Sequence, residues 1–414
     1  MLEFTTPNQP SDNVKPGIYD NITNEQYHGG PGESKSLLDL VRRSPVHYLA
    51  RKIAANENKP SEPTAAQRIG TAFHALLLEP HVFVQSYCLA LRPQDVDTAA
   101  SGQLVESKDQ LIAMIEELNK GRLPKLSTSG TKDELVARIR EHEADLPDSL
   151  RASEVELQSR KLSDLKDIIA GFNVQRPGLL STTGTMEALA QTLRDAGRPV
   201  TLWAEVKAEW ARNNASRQVL TQEEWDQLHR MRDAVMAHPA ANALMTGAKG
   251  YAEQSVYWRD PTTGLLCRCR PDFWRVDGII VDVKTTDDAS AEGFARSIAK
   301  WRYHVQAPYY LDGIAAMQDQ MRDPFQRQYF ANFMAPPKAF VFLAVEKSAC
   351  VVDGTALGVG VYVLDNESME FGRVEYSQDL ATIARCTESG AWPGYGDKIQ
   401  PISLPRWKLA QGAE

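Results

Sequence analysis

Nothing in this chain approaches the roughly 18 consecutive apolar residues of a membrane-spanning helix, so no span and no membrane partner are expected. Cysteine is scarce: Cys88, Cys267, Cys269, Cys350 and Cys386 are the five in 414 residues. Cys267 and Cys269 alternate as on a strand, but no second Cys or His pair at zinc spacing accompanies them. No CxxC group near the C-terminus offers an iron–sulfur site either. The opening MLEFTTPNQPSDNVKP lacks both a basic start and an apolar stretch, which excludes a signal peptide. Residues 1–16 read instead as a flexible arm, and the thiols as reduced ones in a cytoplasm. An excess of positive charge is also missing. The net charge of −8 argues against coating nucleic acid, though not against threading it through a local basic channel. The basic stretches from Arg42-Arg43 to Arg51-Lys52, and Arg296, Lys300 and Arg302, read as solvated helix faces or as contacts in such a channel. The pattern GxxxxGK[ST] is absent, which excludes a helicase motor of that kind.

What is present is ordinary in bulk. Hydrophobic residues make up 43% and charged ones 24%, enough for a core in one large domain or two. Residues 17–97 begin with a strand and turn. Ser34 or Ser36 then caps a helix through Val41, and AAQRIGTAFHALLL (65–78) forms a helix that stops at Glu79-Pro80. Gly70 and His74 share a face of that helix, so the glycine leaves room beside the histidine. From 98 to 198 the character shifts to short helical periods with few strand signals. Ser127-Thr-Ser-Gly-Thr-Lys-Asp-Glu-Leu135 recurs there as Ser181-Thr-Thr-Gly-Thr-Met-Glu-Ala-Leu189. Each copy follows a helix with apolar spacing (Leu111, Ile112, Ile115; Leu162, Leu165, Ile168, Ile169). Residues 199–395 open with helices, Thr221 and Glu224 forming a capping box. YAEQSVYW, LLCRCRPDFWRV and IIVDVK then predict a three-stranded antiparallel meander. Helices from about Ala289 to Trp301 and from His304 to about Gln318, strands at AFVFLAV and GVYVL, and a helix around Ser377 to Cys386 follow. Residues 396–414 are a tail. Helices flanking a central mixed sheet make the class α/β (α+β).

The densest signal lies in CRCRPDFWRVDGIIVDVKTT (267–286). Asp277-Gly278 predicts a two-residue hairpin turn, and Asp282 and Lys284 share one face of the strand that follows. Asp272 adds a carboxylate from the neighbouring strand, and Glu253 is placed to add another from the strand before. An Asp-x-Lys pair alone is most often a surface ion pair, but these acids sit in an apolar strand where an unpaired charge is costly. Oxygen-rich ligation of this kind suits Mg²⁺, with Mn²⁺ as substitute, and metal-assisted phosphodiester hydrolysis. In that reading Asp282 holds the ion and Lys284 orients or deprotonates a water.

These residues resemble a known family. Pro271-Asp272 with Val281-Asp282-Val283-Lys284 is similar to the PD-(D/E)XK nuclease signature. Gly70-Thr-Ala-Phe-His74 resembles the GxxxH helix of its RecB-like branch, and Gln306-Ala-Pro-Tyr-Tyr310 that branch's QxxxY motif. YAEQSVYWRDPTTGLLCRCRPDFW, VDVKTTDDAS and YHVQAPYYLDG resemble the RecE-like (exonuclease VIII) nucleases, over residues 17–97 and 201–395. The resemblance implies a restriction-endonuclease-like core and His74, Asp272 and Asp282 as metal ligands. It also implies Glu253 as an additional acid, Lys284 as the catalytic lysine, and Gln306 and Tyr310 shaping the site. It further implies a Mg²⁺-dependent exodeoxyribonuclease that degrades the 5′ strand of a double-stranded DNA end. Such enzymes leave 3′ overhangs for a RecT-type annealing protein, and the expected assembly is a homo-oligomeric ring in a bacterial cytoplasm, phage or prophage encoded. The 98–198 insertion departs from the family core. Its helix–extended loop–helix copies resemble the DNA-binding SAP motif, and read equally well as two plain helical hairpins. Alternatives are another PD-(D/E)XK endonuclease or repair nuclease, or a non-catalytic DNA-binding protein on the same scaffold.

Overall fold

A computed structural model describes residues 14–20, 22–56, 64–99, 102–144 and 151–404. Most of the expected N-terminal arm (1–16) and the end of the expected tail (396–414) lie outside the described residues. The chain divides into two compact units, one formed by Met1–Leu89 with Gln218–Glu414 and the other by Ala90–Arg217. The segment 98–198 lies inside the second unit. No helix among the described residues is long and apolar enough to cross a membrane.

The first unit is a mixed α/β structure, as the alternating and helical periods predict. Its central sheet has five strands in the order Thr355–Tyr362, Ala339–Val352, Ile279–Thr286, Phe273–Arg275, Gly250–Ala252. Ile279–Thr286 runs parallel to Ala339–Val352 and antiparallel to Phe273–Arg275. The parallel step requires a long crossover, which the helices Ala291–Trp301, Tyr303–Gln320 and Pro324–Phe333 supply. Alternation along Ile279–Thr286 assigns its two faces. Val281 and Val283 pack with Phe73, Leu76, Met231 and Val235 from the helices Ala65–Leu78 and Gln222–Ala237. Ile280 packs on the other face with Tyr309, Ile314 and Phe342. Asp282 and Lys284 share the Ile280 face by their even spacing.

The expected three-stranded meander is instead split between two sheets. YAEQSVYW divides into Gly250–Ala252 and Ser255–Arg259, and LLCRCRPDFWRV into Leu266–Cys269 and Phe273–Arg275. Gly17–Tyr19, Ser255–Arg259 and Leu266–Cys269 form a separate three-stranded sheet. The physical reasons sit at the breaks. Glu253 takes a left-handed backbone (φ 53°), and Pro271 has no N–H to give to a ladder. The hairpin itself has a three-residue loop, not two. Ile280 pairs with Trp274, Gly278 N donates to Arg275 O at 3.1 Å, and Gly278 supplies the positive φ of 86° that closes it.

The second unit corrects the reading of its repeat. Helix Lys108–Asn119 of the first copy packs through Leu111 and Ile115 on Leu189, Ala190 and Leu193 of the second copy. Helix Leu162–Asn173 of the second copy packs through Leu165 and Ile169 on Leu135, Val136 and Ile139 of the first. The packing partners are exchanged between copies, so neither copy is a helical hairpin of its own. The connecting loops lie side by side and are stitched symmetrically. Asn119 Oδ1 accepts from Leu180 N (2.8 Å) and its Nδ2 donates to Leu180 O (3.0 Å). Asn173 makes the matching pair with Leu126, at 2.8 and 2.9 Å. Arg122 donates to Gly178 O and Arg176 to Pro124 O. An extended loop pinned this way cannot fold its own two helices together.

Candidate active site

Helix Ala65–Leu78 is capped by a Thr64/Gln67 box and lies against Ile279–Thr286. At Gly70 a Cβ would come 3.3 Å from Thr285 Oγ1, so glycine keeps this approach close. One turn later His74 reaches the end of the split sheet. There His74, Glu253 and Asp272 each offer one ligand atom, all within 4.8 Å of one another. His74 Nδ1 lies 3.6 Å from Asp272 Oδ2, and Asp272 Oδ2 accepts from Val283 N at 2.7 Å. The left-handed turn at Glu253 is tied down by its own N–H donating to Asp272 O (3.2 Å). The bend that splits the sheet is therefore the bend that brings Glu253 to Asp272.

Asp282 sits beside this trio, 1% exposed, with its oxygens turned elsewhere. Oδ1 accepts from Gln306 Nε2 (2.6 Å), and Oδ2 lies 2.6 Å from Lys284 Nζ. Of the seven residues singled out in the sequence, His74, Glu253 and Asp272 thus form one group, and Asp282, Lys284 and Gln306 an adjoining one. Tyr310 is buried close enough to feel the charges of Asp282 and Asp272. Its neighbour Tyr309 is directed away and donates to Glu33 O at 2.7 Å.

The electrostatics are those of crowded acids. Burial, then the Asp272 carboxylate, push the Glu253 carboxyl up to about 8. Burial pushes Asp282 up to about 6, against the pull of the Lys284 ammonium. Burial alone would drive the proton off Lys284, but Asp282 and Asp272 outweigh it and hold the lysine charged, above its ordinary range. Two carboxylates and an imidazole, with surplus negative charge that Lys284 alone does not cancel, are a donor set that fits Mg²⁺ or Mn²⁺. The nitrogen donor tilts the set towards Mn²⁺ relative to an all-oxygen site. The alternating Cys267 and Cys269 do not join it. Both are fully buried in the apolar core, and burial pushes the Cys267 thiol up to about 12.

The match to known proteins falls on this architecture. Residues 201–405 match the model of a family described as a PDDEXK-like domain of unknown function. That stretch is similar to a PDDEXK-like domain. The matched stretch contains Glu253, Asp272, Asp282, Lys284, Gln306 and Tyr310, whereas His74 comes from upstream and is delivered by the fold. No curated protein matches the chain. A crystal structure described as a "putative exonuclease" from Eubacterium rectale is 12% identical, with a TM-score of 0.30, covering 56% of this chain and 81% of its own. A likeness of that size carries nothing about activity across.

Three side chains that the motifs did not single out also reach this site. Arg270 is buried, donates to Ser255 Oγ and Asn24 Oδ1, and its charge offsets part of the rise at Glu253. Its position two before Asp272 was the available signal. Tyr303 places its ring centroid 4.9 Å from Lys284 Nζ, and it lies one helical turn before Gln306. Lys35 lies 5.6 Å from the same ring, and nothing in its local sequence pointed there.

Proposed function

We propose that this chain is a metal-dependent exodeoxyribonuclease that degrades linear double-stranded DNA from 5′ to 3′ and leaves 3′ single-stranded overhangs. The observation that carries the nuclease reading is the convergence of His74, Glu253 and Asp272 on one point, within 4.8 Å of each other, beside the Asp282–Lys284 pair. In this reading His74, Glu253 and Asp272 would hold a divalent cation, while Asp282 beside them holds Lys284 in place. Such a cation would supply Lewis acidity, to ease loss of a proton from water and offset charge on the phosphate. Lys284, held as an ammonium, donates to a non-bridging phosphate oxygen and steadies the developing charge; it is not the base. Gln306 fixes the rotamer of Asp282. A bond forms from the water oxygen to phosphorus and the water's proton passes to solvent; the P–O bond to the leaving sugar breaks, and the sugar oxygen takes that electron pair and a proton from solvent.

Exonucleolytic action, polarity and a role in annealing recombination rest on the resemblance to RecE-like nucleases in YAEQSVYWRDPTTGLLCRCRPDFW, VDVKTTDDAS and YHVQAPYYLDG. A ring assembly, a RecT-type partner, and a phage or prophage origin in a bacterial cytoplasm belong to the same reading. The test is digestion of linear duplex labelled at one 5′ or 3′ end, with Mg²⁺, with Mn²⁺ and with chelator. Metal-dependent release beginning at 5′ ends, with closed circles spared, is the expected result. Cleavage of closed circles would replace it with an endonuclease. DNA binding without any hydrolysis would replace it with a non-catalytic scaffold.

A further inference from the structure

Helix Tyr303–Gln320 follows Ala291–Trp301 with a single residue between them, and that residue, Arg302, is left-handed (φ 53°). A side chain there is unfavourable, so the surroundings must hold it. They do so through the guanidinium. Arg302 Nη1 donates to Asp39 at 3.0 Å, Nε to Glu375 at 3.2 Å and Nη2 to Asp379 at 2.7 Å. Asp39 lies on Lys35–Arg43, and the other two acids on Asn366–Ser389. Glu375 also receives Arg42 and His304, at 3.1 and 3.0 Å, and Asp39 receives Lys35 at 2.7 Å. Three helices are thereby locked at the point where Tyr303–Gln320 starts.

The first turn of that helix carries Tyr303 and Gln306 on one face. Gln306 holds Asp282, and Asp282 holds one side of the Lys284 ammonium. Tyr303 lays its ring 4.9 Å from the same ammonium, and is itself braced by Phe294 and Phe342, with centroids 6.2 and 6.0 Å away. A ring face attracts a cation without occupying a hydrogen-bond acceptor, so it restrains the ammonium and leaves N–H donors for a substrate.

We infer that Tyr303 is a positioning residue for Lys284, aimed by the Arg302 carboxylate cluster, and that its ring restrains the ammonium while Asp282 holds it by an ion pair. The catalytic half of this inference rests on the nuclease reading; the placement of Lys284 does not.

The experiment separates the two. In the full chain labelled with ¹³C at the lysine ε-carbons, the Lys284 signal is assigned by its loss in Lys284→Met. It is expected upfield of the other lysines through the ring current, to stay there in Tyr303→Phe, and to return to the bulk position in Tyr303→Leu. On linear duplex DNA, Tyr303→Leu is expected to lower kcat about ten-fold, with KM changed by less than about two-fold. Tyr303→Phe is expected to recover most of the rate. Tyr303→Met, closer in length, stands in should the leucine variant not fold. A Lys284 signal unmoved in Tyr303→Leu overturns the placement. A moved signal with wild-type kcat overturns the positioning role. A wild-type chain inactive on DNA sinks the nuclease reading, and the spectrum still decides where Lys284 is held.

Discussion

Glu253 concentrates the tension of the site in one residue. Its backbone is left-handed, its N–H is bound to the Asp272 carbonyl, and its carboxyl is pushed up to about 8 by burial and by Asp272. The sign of the resulting pH dependence follows from proton counting. Between the ordinary value of 4.5 and about 8 the folded chain keeps a proton that the unfolded chain has released. Without metal, stability from this group is therefore present at low pH and falls as pH rises through that window. A divalent cation replaces the proton, so its stabilising effect should grow across the same window. Melting temperatures from pH 5 to pH 8.5, with Mg²⁺ and with chelator, test this directly. Glu253→Gln should flatten the metal-free curve there, and parallel curves for variant and wild type would reject the assignment. At the partner pair, Lys284→Met keeps the apolar stem and removes the charge. Hydrolysis should drop by about a hundred-fold or more, as for loss of a preorganised donor to a charged transition state, and retained activity would remove Lys284 from the mechanism. Asp272 and Asp282 were readable from sequence because a charge inside an apolar stretch demands a partner. The left-handed bend at Glu253 was not, because YAEQSVYW contains no glycine or proline to mark it.

At the level of elements, some helices were legible to their ends, 65–78 being the helix Ala65–Leu78, whereas the last, expected around Ser377 to Cys386, runs over Asn366–Ser389. Strand extents were less so, since period-two alternation says nothing about a change of sheet. Helix Tyr303–Gln320 hides another such point. Pro308 has no N–H, so the carbonyl of His304 loses its helical partner. Helix Asn366–Ser389 approaches this gap at Gly372, where a Cβ would stand 1.9 Å from His304 O and 2.9 Å from Pro308 Cγ. Neither a backbone carbonyl nor a proline ring can give way. Gly372→Ala should therefore push the two helices apart and destabilise the first unit by about 1–3 kcal/mol, the usual scale of overpacking. Denaturant unfolding measures that cost. Because Glu375 and Asp379 ride on the displaced helix and hold Arg302, the variant should also lose DNA hydrolysis. A Gly372→Ala chain as stable as wild type would show that the close approach is not maintained in solution.

For the whole molecule, the sequence announces two units through composition and repetition, yet the repetition misleads about packing. The Ser/Thr-Gly turns are the conspicuous part of each copy, and they suggest a self-contained hairpin. The quieter matches, Asn119 with Asn173 and Arg122 with Arg176, are what tie the loops side by side and send each second helix to the other copy. Exchange makes a sharp energetic prediction. Leu111 and Leu193 belong to different copies but to one apolar cluster, whereas Leu111 and Leu135 belong to one copy but to different clusters. Each buried Leu→Ala change should cost about 2–5 kcal/mol. Leu111→Ala with Leu193→Ala should be non-additive by about 0.5–3 kcal/mol, because the second truncation meets a cluster already opened. Leu111→Ala with Leu135→Ala should add to within about 0.5 kcal/mol. Native-state hydrogen exchange at amides of the second unit supplies the free energies without disturbing the first. The reverse pattern, coupling within a copy and additivity between copies, would mean that each repeat folds on itself. The exchange also means that removing residues 160–196 should leave both clusters half built and the remaining copy unfolded, which proteolysis of the truncated chain would reveal.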